Sequence, residues 1–157
     1  MLPWVRTPLP SDILKLRSTA SLLPLPLTIA AVPVAGKVVL VVDDIAEQRN
    51  LLVTLLRYSG YGFLEAANGK AAIQMAREHH PDLILMDAGL PVLDGWQATE
   101  QLKQDPLTSD IPVIMLTAYA LEVHSARAAE AGCDSYLTRP IEPRRVLQEV
   151  QELIGPA

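Results

Sequence analysis

From Lys37 onward, short apolar runs alternate with longer stretches whose apolar residues recur every third or fourth position. After its lysine the run "KVVLVV" (37–42) is apolar and rich in β-branched residues, as in a strand covered on both faces. "GFLEAA" (62–67), "DLILMD" (82–87), "PVIMLTA" (112–118) and "SYLT" (135–138) supply four more strands. Between them, "IAEQRNLLVTLLRYSG" (45–60) has helical spacing, with Leu51, Leu52, Leu55 and Leu56 as its apolar face and Gly60 as its stop. The same period predicts helices in "GKAAIQMAREHH" (69–80), "GWQATEQLKQD" (95–105), "LEVHSARAAEAG" (121–132) and "PRRVLQEVQELI" (143–154). Five strands alternating with five helices give an α/β fold, a parallel sheet with helices on both faces, because parallel neighbours need crossover connections.

In such a sheet the reactive site lies beyond the carboxyl ends of the strands. There the first strand ends in Asp43 and Asp44, the third in Asp87 and the fourth in Thr117, and the fifth runs into Arg139. Three carboxylates on one edge repel one another, and each resists ionising unless a positive charge lies between them. A hard divalent cation such as Mg²⁺ meets that need, since it takes oxygen ligands and is held by one or two carboxylates beside a phosphate.

Composition narrows the partners. The formal net charge of −5 leaves no broad cationic surface for nucleic-acid phosphates or anionic lipid. A single cysteine, Cys133, cannot form an internal disulfide, which favours a reducing compartment and a cytoplasmic location. With 157 residues the chain has material for one core. Residues 1–36 differ from the rest, holding six of the thirteen prolines, and their apolar runs are broken too often to cross a membrane. A secretory leader is the competing reading, because Arg6, Lys15 and Arg17 precede an apolar stretch ending in "VPVAG". Its charged part is long and prolines interrupt its apolar part, so we read 1–36 as a flexible tail or as residues ahead of a true start.

The motifs "VLVVDD", "LILMDAGLPVLDG", "PVIMLTAYA" and "GCDSYLTRPI", in this order, resemble the receiver domain of two-component response regulators over Lys37 to about Ile154. The resemblance implies a doubly wound (βα)5 fold with strand order 2-1-3-4-5, a receiver domain over 37–155 and a short end at 156–157. It further implies that Asp87 accepts a phosphoryl group and that Asp43, Asp44, Asp87 and the backbone carbonyl of Gly89 bind Mg²⁺. Thr117 would bond the phosphoryl group, and Tyr136 would be the aromatic that moves inward on activation. The implied donor is a phosphohistidine on a histidine kinase or histidine phosphotransfer protein. The output would be a protein target on the face of the fourth helix, fifth strand and fifth helix, or onward passage of phosphate in a relay, with no attached output module after "GPA". One position departs from the family: the cation after the fifth strand is Arg139 where lysine is usual, and an arginine fork is not interchangeable with an ammonium. The Arg139–Pro140 bond is cis in the family.

Plainer roles compete at several positions. Asp44 fits a capping box with Glu47, and Asp94 fits one with Gln97. His79 and His80 suit the end of a helix, His124 reads as solvated, and Trp96 reads as core. Tyr119, two residues beyond Thr117, stands where the family controls water access to the acyl phosphate, and its bulk would slow hydrolysis. A haloacid-dehalogenase-like phosphatase requires Asp-x-Asp after the first strand, whereas Asp43 and Asp44 are adjacent. A nucleotide-binding fold lacks its Gly-rich loop. A pseudo-receiver that binds partners without phosphorylation draws its support from Arg139.

Overall fold

Alternate residues of each strand serve opposite faces of one sheet, and that alternation builds a core in two layers, one on each side. The computed structural model describes residues 36–118 and 122–157, so the tail over 1–35 and Tyr119 lie outside the described residues, as does the His124 side chain. The elements are β1 (Val38–Val42), α1 (Ala46–Tyr58), β2 (Gly62–Ala66), α2 (Gly69–His79), β3 (Leu83–Asp87), α3 (Gly95–Gln104), β4 (Val113–Thr117), α4 (Glu122–Ala131), β5 (Ser135–Thr138) and α5 (Pro143–Ile154). The strands form one sheet in the order β2-β1-β3-β4-β5, with every pair parallel. This is the expected order 2-1-3-4-5.

On one face Leu40, Val42, Ile84, Met86, Val113 and Met115 pack against α2, α3 and α4. On the other, Val39, Val41, Leu85, Ile114 and Leu116 meet Leu52 and Leu56 of α1 and Val146 and Val150 of α5. The central strands are buried on both sides, which is why their sequences are continuously apolar instead of alternating. Each such side chain contributes roughly 2 kcal/mol on leaving water.

Two local expectations change. The buried face of α1 is Leu52, Val53 and Leu56, with Leu51 left 73 % exposed, a face turned about one position from the leucine-only stripe. Asp44 does not cap α1. The N-cap is Ile45, which has no side-chain cap bond, and the Asp43 carboxylate takes the Ile45 N–H instead (2.9 Å). The Asp94–Gln97 capping box forms in full at the start of α3, and Trp96 is buried.

The amino-terminal edge of the sheet is closed by the end of the chain. Tyr61 Oη donates to the Gly155 carbonyl (2.7 Å), and Lys37 Nζ donates to the Pro156 carbonyl (3.2 Å). No helix among the described residues is long and apolar enough to cross a membrane.

Candidate functional site

Asp43 continues β1 beyond its last ladder residue, with its N–H donated to the Ala66 carbonyl of β2 (3.1 Å). Its carboxylate is fully buried, while Asp44 beside it is exposed. Asp87 is the last residue of β3, and the Ala88 N–H bonds the Leu116 carbonyl (2.8 Å), which carries the ladder one residue past the acid. Asp43, Asp44 and Asp87 each offer a carboxylate oxygen, all within 4.8 Å of one another. The fold thus gathers three acids that are adjacent or 43 and 44 positions apart in the chain.

A glycine makes the loop after Asp87 possible. A Cβ on Gly95 would overlap the Asp87 carbonyl oxygen and the Ala88 Cα, so α3 begins directly against the backbone that carries the acid. The Gly95 N–H closes the loop on the Ala88 carbonyl (3.1 Å). At its tip, the Leu93 N–H bonds the Pro91 carbonyl (2.8 Å) across Val92, a γ-turn with φ +69° at a fully exposed β-branched residue. Gly89, also exposed, donates its N–H to Asp87 Oδ1 (3.1 Å).

Opposite the acids, Thr117 ends β4 with 2 % exposure, and its carbonyl accepts the Arg139 N–H (2.8 Å). That bond brings Arg139 back over the edge from β5, and the Arg139–Pro140 peptide is cis, as the family pattern implies. One Arg139 terminal nitrogen, Nη2, lies 3.1 Å from Asp43 Oδ2 and 3.6 Å from Asp87 Oδ1. Burial pushes the Asp43 carboxyl above the ordinary carboxylate range. The Ile45 N–H opposes the rise, the nearby Asp87 charge adds to it, and Arg139 works against it by charge and hydrogen bond. Arg139 thus does not fully offset burial and the Asp87 charge at Asp43. The all-oxygen donor set therefore suits a hard divalent ion.

Tyr136 stands one strand away on β5 and is 37 % exposed. An open groove of about 260 Å³ runs beside it between Thr138, Pro140, Ile141, Glu142 and Arg145. His80 pairs with Asp110 (3.1 Å), at the opposite edge from the acids.

Two cations near this edge escape a reading by motif. Arg49 Nη1 donates to the Asp43 carbonyl (2.7 Å) and its Nε to Glu65 Oε1 (3.0 Å), so α1 is tied to the strand end that carries the buried acid. Placing Arg49 one turn into a helix that starts beside Asp43 would have revealed it. Arg127 of α4 lies 3.7 Å from Asp94 and 5.8 Å from the Trp96 ring centroid, linking α4 to the start of α3. No sequence spacing signals that contact.

Comparison with known proteins agrees with this geometry. The family model described as "Response regulator receiver domain" matches residues 39–151. The polar-differentiation response regulator DivK of Brucella ovis is 38 % identical over 121 residues, 77 % of this chain and 98 % of that protein. The receiver domain of a sensor histidine kinase from Pseudomonas aeruginosa, solved with a magnesium ion coordinated in its active site cleft, is 34 % identical. It superimposes with a TM-score of 0.72 over 77 % of this chain and 99 % of that one. A Vibrio cholerae chemotaxis protein, 26 % identical, gives 0.72 over 76 % and 99 %. The chain belongs to the response regulator receiver domain family, the signalling switches of two-component systems.

Proposed function

We propose that Asp87 accepts a phosphoryl group from a phosphohistidine on a histidine kinase or histidine phosphotransfer protein, in a Mg²⁺-dependent reaction. The observation that carries this reading is the convergence of Asp43, Asp44 and Asp87 within 4.8 Å, with Arg139 against two of them and Thr117 at the next strand end. An Asp87 carboxylate oxygen forms a bond to phosphorus as the bond from phosphorus to the donor imidazole nitrogen breaks, and the electron pair returns to that nitrogen. Asp43, Asp44, Asp87 and the Gly89 carbonyl would hold the Mg²⁺, which supplies charge neutralisation for the equatorial phosphoryl oxygens. Arg139 contributes the neighbouring positive charge, and the Thr117 hydroxyl donates to the phosphoryl group. Both act by position and charge, which is most of what phosphoryl transfer asks of a protein.

The signal then leaves by the α4-β5-α5 face. Thr117 moves toward the phosphoryl group and Tyr136, outward in the resting domain, turns into the space vacated. A protein target reads that change, or the phosphoryl group passes onward in a relay. The functional unit spans 37–155, with 1–36 outside it. The net charge of −5 weighs against direct nucleic-acid contact, and its setting is the cytoplasm, where a histidine kinase transfers phosphate and Cys133 stays reduced.

A pseudo-receiver is the second reading, favoured by the pairing of Arg139 with Asp43 and Asp87. Intact-protein mass after incubation with acetyl phosphate separates the two. Wild type gains one phosphoryl group with Mg²⁺ and none with EDTA, and Asp87→Ala gains none. No gain in wild type under either condition overturns the first reading in favour of the second.

A further inference from the structure

Arg139 sits where an incoming divalent cation would need the acids to be free. Its Nη2 is hydrogen-bonded to Asp43 Oδ2 (3.1 Å) and ion-paired with Asp87 Oδ1 (3.6 Å), so one charged group faces two of the three carboxylates. The Asp43 side chain has no exposure and the Arg139 side chain 24 %, so water screens this contact less than a surface pair. The guanidinium cannot shed its proton at any ordinary pH, and its planar fork is a larger and less mobile group than an ammonium. The backbone holds it in place, because the Arg139 N–H is bonded to the Thr117 carbonyl.

We infer that Arg139 is an internal counter-ion that competes with the divalent cation for Asp43 and Asp87 and so sets how much Mg²⁺ the resting domain requires. The inference rests on the proposed phosphoryl-acceptor reading and adds to it a role for Arg139 before any phosphoryl group arrives. Two effects act together. A fixed positive charge beside the acids repels a second cation, and the guanidinium must surrender carboxylate oxygens that the cation would take. Asp44, exposed and adjacent, remains the point of entry. Accepting the phosphoryl group and releasing Asp43 then become linked, since the guanidinium can exchange a carboxylate partner for phosphoryl oxygens, which it binds through paired N–H groups.

The test is a calorimetric titration of the full chain with MgCl₂ for wild type, Arg139→Lys, Arg139→Met and Asp43→Asn, with melts by circular dichroism in EDTA to verify folding. Arg139→Met binds Mg²⁺ on the order of tenfold more tightly than wild type, Arg139→Lys falls between, and Asp43→Asn binds far more weakly. If the Met variant failed to fold, the tightening in the Lys variant would carry the inference alone. Equal or weaker binding in the folded Arg139 variants overturns it. When that happens while Asp43→Asn still abolishes binding and acetyl phosphate still labels Asp87, the acceptor reading stands and only the competition falls. Absence of both Mg²⁺ binding and labelling in every protein removes both.

Discussion

At the amino-terminal edge of the sheet, Asp82 and Asp134 each precede a strand and each join it to its neighbour. Asp82 Oδ2 accepts the Val38 N–H (2.7 Å) while its own N–H goes to the Val38 carbonyl (2.8 Å). Asp134 repeats the arrangement with Val113, at 2.8 and 2.9 Å, and adds Lys103 Nζ at 3.0 Å. At the carboxyl edge the same residue type is used differently. Asp43 and Asp87 take N–H groups only two residues away, from Ile45 and Gly89, and lean on the single guanidinium of Arg139. One edge spends its acids on joining strands; the other buries an acid beside a second one, and burial first, with the Asp87 charge adding to it, pushes Asp43 above its usual value. Electrostatic discomfort at one edge, set beside satisfied bonding at the other, singles out the carboxyl edge as the candidate site.

The sharpest way to break this contrast is at the backbone beneath the acids. Gly95→Ala forces a Cβ into the Asp87 carbonyl and the Ala88 Cα, neither of which can swing aside. The expected loss is about 3 kcal/mol in urea unfolding, together with loss of acetyl phosphate labelling.

Exchanging the acids themselves sharpens the comparison. Asp134→Ala strands the Val113 N–H and takes the carboxylate from Lys103, whose ammonium keeps the Ile111 and Ser109 carbonyls; it lowers stability by about 2 kcal/mol, yet leaves labelling at Asp87 intact. Asp43→Asn in EDTA leaves stability equal to wild type or higher, since it removes a buried charge and an amide oxygen can still accept from Ile45. A larger stability loss at Asp43 than at Asp134 would erase the distinction between the edges.

The smallest effect concerns Cys133, next to the joining acid Asp134. Burial, and secondarily the Asp134 charge, pushes its thiol from 9.0 up to about 11. Between those values the unfolded chain has lost a proton that the folded chain keeps. Stability is therefore complete below about pH 9 and declines as the pH rises toward 11. Urea midpoints in that window should fall less for Cys133→Ser, and iodoacetamide at pH 8.5 should alkylate the native thiol far more slowly than the unfolded one.

What could be read from the sequence follows how far each interaction reaches. The ten elements were legible because buried parallel strands are uniformly apolar and helices repeat every third or fourth residue. The Asp94–Gln97 box was legible because its partners lie three residues apart. The three acids and Thr117 could be placed on one edge because each ends a strand. Specific pairings across the fold were not legible: Arg139 could be placed on the acids' edge but not against Asp43, 96 positions away, and Lys103 meets Asp134 across 31. Asp44 shows the opposite error, since a local capping motif was present and the chain used Ile45 as its N-cap instead. Val92 gave no warning of its turn, because β-branched residues seldom adopt positive φ.

The bonds from Tyr61 to Gly155 and from Lys37 to Pro156 bring the first strand and the final residues to the same edge. Five strand residues, about 17 Å, separate that edge from the carboxylates. The domain is thus built like a plug with both leads at its base. A fluorophore or surface tether joined at Gly36 or Ala157 would hang from the far side and leave the acidic rim uncovered.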